Sequence, residues 1–211
     1  MKKPIQEIRR RELIEGAYRV FLEHGIAGLT TARICKEAGM SPGLLVYYFK
    51  SKDEVLFWMV RHANRVIMDE VIRRMERSRT PWERLSAIVE GNFPPNLFNR
   101  NTANAWLSFY AVAARDPQLE RLQTLFHRRL SSNLRSCVRG LFDQEELARF
   151  VLGVGILIDG CWLRKGGVDI AMTCDDAIAL IRDYIAGFLG PDRLETLRTE
   201  TPLGAPRRRS A

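Results

Sequence analysis

Trp106, Phe109 and Tyr110 fall at i, i+3 and i+4, so a helix would set their three rings along one face. Asp159 and Trp162, three apart in an apolar run, would share a face of another helix. A carboxylate among apolar residues is unfavourable unless it is paired or hydrogen-bonded. Aromatic faces with one countercharge suit a quaternary ammonium ion, which is drawn to ring faces and offers no hydrogen-bond donor. The plainer alternative is a core aromatic cluster, with Asp159 bonded to an arginine such as Arg164 or to a backbone group. The residues alone leave both open.

A second chemistry is suggested by residues 29–56, LTTARICKEAGMSPGLLVYYFKSKDEVL. Tyr47 and Tyr48 carry hydroxyls that can meet phosphate oxygens, and Leu44 and Val46 can touch a thymine methyl. Lys50 and Lys52 follow at once, placed for a phosphate backbone. The surrounding signals describe two short helices. Thr30 is an N-cap for a helix that carries Ile34 and Ala38 inward, and Gly39 stops it. Ser41-Pro42 opens the second, with Leu45 and Phe49 four apart and facing the core. Ser51 and Glu54 form a capping box that starts a third, longer helix. Two short helices around a tight glycine turn describe a helix-turn-helix, whose second helix enters a DNA major groove. An ordinary helical corner with two surface tyrosines is the other reading.

Catalytic patterns are missing. The chain has no G-x-S-x-G, phosphate loop, H-E-x-x-H or recognisable carboxylate pair. His24, His62 and His127 stand alone and read as surface or packing residues. An enzyme on a helical scaffold is therefore the minor hypothesis, and neither cofactor nor metal is expected. Cys35, Cys137, Cys161 and Cys174 form no C-x-x-C pair and read as small core residues. With 211 residues, 46% hydrophobic content and a net charge of +8, the chain can build a core and suits a polyanion. Arg9, Arg10, Arg11, Arg33, Lys36, Lys50 and Lys52 concentrate that charge near the helix-turn-helix. The N-terminus shows no signal peptide, and the apolar run 151–163 is shorter than the roughly 20 residues a bilayer requires. A cytoplasmic location is expected.

The positioning elements are all helical by pattern. Residues 5–24 carry an apolar stripe, Leu13, Ala17, Val20 and Phe21, and end at Gly25. The helix from Ser51 runs to about Arg77, roughly 40 Å at 1.5 Å per residue, long enough to act as a lever. Thr80-Pro81-Trp82-Glu83 opens another, and Phe93-Pro94-Pro95 breaks the chain. Further helices are predicted at about 102–114, 117–140, 143–167 and 174–189. The stretch 191–211, ending in Arg207-Arg208-Arg209, reads as a disordered tail. The expectation is an all-α fold of about nine helices: a DNA-binding domain over 5–52 and a larger helical domain over 53–190. Residues 147–163 are apolar nearly all round after Arg149 and hold Gly153, Gly155 and Gly160. Such a helix needs cover on more than one side. With the last helix it is expected to form half of a two-fold dimer interface, which also suits reading two half-sites. One fully buried core helix is the alternative.

The set Thr30, Ile34, Ala38, Gly39, Ser41, Gly43, Tyr48, Phe49, Lys52 and Leu56, with acidic Asp53 and Glu54, resembles the TetR family of transcriptional repressors. Val46 stands where many members carry Tyr, and Pro42 where a basic or polar residue is common. The resemblance implies double-stranded operator DNA as partner, with contacts from Thr30, Thr31, Arg33, Ser41, Pro42, Gly43, Leu44, Val46, Tyr47, Tyr48 and Lys52. The segments IVEGNF (88–93), AWLSFYA (105–111), LERLQ (119–123), RRLSSNL (128–134) and LIDGCWLR (157–164) resemble the choline-responsive BetI branch of that family. That likeness implies control of glycine-betaine synthesis by a homodimer, with choline or a related quaternary ammonium compound as effector. It implies Phe93, Trp106, Phe109, Tyr110, Asp159 and Trp162 as effector residues. A repressor of the same type that senses another cationic or apolar molecule is the alternative.

Overall fold

The computed structural model describes residues 5–167 and 171–199, and the regular elements among them are α-helices. They are α1 (Ile5–His24), α2 (Thr31–Ala38), α3 (Pro42–Tyr48), α4 (Lys52–Arg77), α5 (Pro81–Gly91), α6 (Arg100–Ala113), α7 (Pro117–Cys137), α8 (Gln144–Gly167) and α9 (Cys174–Thr199). Side-chain caps set most of the starts. The Thr30, Ser41, Ser51 and Thr80 hydroxyls accept from the N–H three residues on, at 3.4, 3.4, 3.1 and 3.1 Å. Asp116 and Asp143 do the same for α7 and α8. Each cap satisfies a donor that the helix itself leaves unpaired. Helix α6 begins earlier than its pattern suggests, because Asn99 accepts from the Thr102 N–H at 3.0 Å.

The chain divides into two compact units. Of the described residues, the first draws on 5–66, 95–126, 162–167 and 171, the second on 67–94, 127–161 and 172–199. In the first unit, Leu13, Ala17, Phe21, Ile34, Leu45, Phe49, Leu56 and Met59 share one core with Ala105, Phe109, Ala113 and Leu119. Helix α6 meets α1 through Trp106, whose ring stands edge-on to Phe21 at 5.5 Å. The Ser108 hydroxyl accepts from the Ile26 N–H at 3.2 Å and donates to the Ala105 carbonyl at 2.6 Å. Gly25 turns the chain there at φ 62, and a Cβ on it would lie 3.1 Å from the Ser108 Oγ. In the second unit, Phe142, Phe150, Tyr184 and Phe188 form a chain of ring contacts between 5.3 and 5.9 Å. Gly91 on α5 lets α4 approach: a Cβ there would lie 2.7 Å from the Val71 Cα.

The tail expected from residue 191 is, up to Thr199, part of α9. Gly190 adopts φ 72, ψ 170, and the helix resumes at once with Pro191. Proline loses nothing at a first helical position, where its missing N–H would have had no partner. Leu197 is buried, Arg193 pairs with Glu146 at 3.3 Å and lies over Phe142, and Arg198 lies over Trp82. A Gly-Pro pair read as a stop is a corner. Residues 200–211, with the three terminal arginines, lie outside the described residues.

Glu54 ties α4 to its neighbours. Its carboxylate accepts from the Lys50 N–H at 2.9 Å and from Arg10 at 3.3 Å, while the Arg10 guanidinium lies over Trp58 at 4.3 Å. The Lys50 N–H holds the Glu54 carboxyl below its usual range against the opposing effect of burial, and Arg10 and Trp58 add to the lowering. A lowered folded-state pKa stabilises above the unfolded value and is lost as pH falls through the folded one. Glu54→Gln should therefore lower the urea midpoint at neutral pH, and the gap to wild type should narrow as pH falls below the glutamate range. Gly91→Ala should destabilise by about 1–3 kcal/mol in urea unfolding, as overpacking does, because its methyl meets backbone.

Candidate nucleic-acid interface and effector residues

The short helix α3 is anchored through Leu45 and, just past its end, Phe49, and is otherwise largely exposed. Gly39 at φ 64 ends α2, and the Met40 N–H reaches back to the Cys35 carbonyl at 2.9 Å. Ser41 then caps α3, Leu45 and Phe49 are buried, and Phe49 itself sits past the helix in extended backbone. What remains outside is apolar. Val46 and Tyr47 are each 69% exposed and Leu44 is 38% exposed. Tyr48 packs partly against the core and stands edge-on to Tyr47 at 5.0 Å. Ser41, Pro42, Gly43 and Lys52 are exposed, as are Thr30, Thr31 and Arg33 at the start of α2. Arg33 also donates to the Gly28 carbonyl at 3.2 Å. All eleven expected contact residues thus lie in one unit, ten of them exposed and Tyr48 half-buried.

The basic residues of α1 are differently engaged than their position suggests. Arg9 pairs with Glu12 at 2.9 Å, Arg11 with Glu15 at 2.8 Å and Arg19 with Glu37 at 2.6 Å. Arg10 is a structural residue, bound to Glu54 and stacked on Trp58 and Phe49. Sequence reading missed this role, although the capping box at Ser51 already marked Glu54 as engaged.

The expected effector residues fall into both units and are described within each. In the first, Trp106 lies 5.6 Å from Phe109 and 6.4 Å from Tyr110, ring to ring. Phe109 is buried core, whereas Trp106 and Tyr110 are half-buried. Trp162 stands edge-on to Phe98 at 5.0 Å, and the Lys165 ammonium lies over that same Phe98 ring. Phe98 went unnoticed in the sequence because it sits in a turn with no periodic pattern. In the second unit, Phe93 is fully buried and Asp159 half-buried. Burial pushes the Asp159 carboxyl above its usual range, and the charge of His127 acts the other way. His127 is thus an electrostatic neighbour of Asp159 and not the lone residue its sequence position suggests. His62 packs edge-on to Tyr18 at 5.2 Å, and His24 is exposed.

Cys35, Cys137 and Cys161 are buried, and burial pushes the Cys35 and Cys137 thiols up, away from reactivity. Among the described residues no cluster of His, Cys, Asp and Glu could hold a metal ion, and no helix is long and apolar enough to cross a membrane.

Residues 13–58 match the family of bacterial regulatory proteins called tetR, and residues 81–190 match the C-terminal domain of BetI-type transcriptional repressors. The HTH-type transcriptional regulator BetI of Brucella anthropi is 38% identical over 183 residues, covering 86% of this chain and 94% of that protein. BetI of Rhizobium meliloti is 32% identical over 188 residues, covering 89% and 93%. Solved structures share the fold. A TetR transcription regulator from Haloarcula marismortui superposes with a TM-score of 0.72 at 19% identity, covering 87% of this chain and 97% of that one. A transcriptional regulator from Saccharomonospora viridis, crystallised in complex with choline, gives 0.71 at 20%, covering 85% and 96%. Residues 13–58, which contain α2 and α3, are thus the helix-turn-helix DNA-binding segment of that family. The chain belongs to the TetR family of transcriptional regulators, a BetI-like DNA-binding repressor and not an enzyme.

Proposed function

We propose that this repressor controls the synthesis of glycine betaine from choline, with choline or a related quaternary ammonium compound as its effector. The observation that carries the reading is the BetI-type likeness across residues 81–190, the half that holds the expected effector residues. Two features support it. The first unit offers aromatic faces at Trp106 and Tyr110, and the second offers a carboxylate at Asp159. Rings and one countercharge are what a trimethylammonium group selects. The Saccharomonospora viridis protein, which shares this fold, was crystallised in complex with choline, which supports that ligand class.

The repressor acts in the cytoplasm as a homodimer through α8 and α9. Leu152 and Ile156 on α8 and Leu180 on α9 are 63, 59 and 49% exposed, and Gly155 beside them faces open space. A second copy would remove that apolar surface from water. Gly153 has a different reason: a Cβ there would strike the Tyr184 ring. The dimer presents two α3 helices to a palindromic operator, with contacts from the eleven residues between Thr30 and Lys52. Effector binding need only favour one arrangement of the helices over another, by a typical 1–3 kcal/mol, to alter operator affinity.

In a fluorescence-anisotropy titration on the protein's own upstream DNA, Tyr48→Phe and Lys52→Ala should each weaken binding roughly tenfold, the effect of losing a charged hydrogen bond. Unchanged affinity in both would remove these residues from the interface. Calorimetry with millimolar choline should give a saturable signal in wild type that Tyr110→Ala and Asp159→Asn abolish without loss of DNA binding; silence from the wild type would end the choline assignment. Ile156→Glu should sediment as monomer, and a dimer unchanged by that charge would exclude α8 from the interface.

A further inference from the structure

The second unit contains a cleft of about 380 Å³ that shares no residue with the expected effector set. It is lined by Arg74 and Arg77 of α4, Ser78, Trp82, Glu83, Ser86 and Glu90 of α5 and the turn before it, and Arg182 of α9. Its charges are unevenly spent. Glu90 is shared by two guanidinium groups: Arg74 reaches one oxygen at 2.6 Å and Arg182 holds the other. Glu83 is turned to its own helix start, accepting from the Arg79 N–H. Arg77 is exposed and has no carboxylate partner among the described residues. The Arg182 Nε is buried without a hydrogen-bond partner, alone in this among the buried side-chain nitrogens and oxygens of the described residues. A buried donor left unmatched is unfavourable by about 1–3 kcal/mol and is the kind of group a ligand satisfies.

Three arginines against two glutamates leave the lining with one excess positive charge. Trp82 is among the lining residues, and the Arg198 guanidinium lies over its ring at 5.6 Å. We propose that this cleft is a second ligand site, for a small organic carboxylate. Its anionic end would take the Arg182 Nε–H and the Arg77 guanidinium, and its apolar body would lie on Trp82. Guanidinium groups match carboxylates in geometry as well as charge. A single negative charge balances the lining, whereas a dianionic phosphate exceeds it. A quaternary ammonium ion is repelled by the same arginines, so this site and the cation-selecting one take opposite ligands. The volume lies at the small end of ligand cavities, enough for a substituted ring or a short chain.

The test uses the full-length protein with benzoate as probe, sodium chloride at equal ionic strength as control, and calorimetry with tryptophan fluorescence as readouts. Benzoate should bind saturably. Arg182→Gln and Arg77→Gln should each weaken it roughly tenfold, and Trp82→Phe should remove the fluorescence change. Saturating choline should leave benzoate affinity unaltered, which separates this site from the proposed effector site. No saturable benzoate signal in wild type would overturn the proposal, as would equal affinity in the arginine variants. Tighter binding of inorganic phosphate than of benzoate would overturn the carboxylate assignment. Should Arg182→Gln fail to give the wild-type circular dichroism spectrum, the exposed Arg77→Gln decides.

Discussion

Helix α6 meets α1 in a shared core, with the Trp106 edge against α1 and the Ser108 hydroxyl at the turn that follows it, and the helix-turn-helix rests on that junction. Trp106 stands against Phe21, and Ser108 takes the Ile26 N–H at the turn that closes α1. An edge-to-face ring pair and a hydrogen bond each contribute about 1 kcal/mol. Their larger effect is geometric. They fix where the α1–α2 turn lies, and α2 and α3 follow from that turn.

This junction explains why the compact unit is larger than a three-helix head. Helix α3 has seven residues and α2 has eight. Isolated helices of that length do not persist in water. Caps at Thr30 and Ser41 and the left-handed Gly39 define their ends, and the buried anchors Ile34, Leu45 and Phe49 attach them to a wider core. Ala105, Phe109, Ala113 and Leu119 complete that core from α6 and α7. The head therefore inherits its rigidity from helices outside the motif that reads DNA.

Much of the fold was legible because it is written in local signals. Thr30, Ser41, Ser51 and Thr80 announce helix starts by hydrogen-bonding chemistry that depends on only a few neighbours. The stripe from Leu13 to Phe21 is equally local. What escaped depends on distant partners. Gly190-Pro191 looks like a terminator until Glu146 and Phe142 supply contacts for Arg193 beyond it. His127 looks solitary because Asp159 is 32 positions away in the chain. Arg10 looks like a phosphate ligand until Glu54, Phe49 and Trp58 surround it. Among the site residues, the exposed face of α3 followed directly from which positions the core required. The effector residues were harder, because an aromatic that lines a cavity and one that fills a core have the same spacing.

The pairing of the α1 arginines has a thermodynamic consequence for salt. Counterions condensed on a DNA duplex are released in proportion to the cationic charge that newly neutralises phosphates. Arg9, Arg11 and Arg19 already have carboxylates in hand, so a phosphate that captures one of them exchanges one ion pair for another. The net charge of +8 thus overstates the polyelectrolyte driving force at this surface. The salt dependence of operator binding should accordingly be shallower than the full charge of the chain implies.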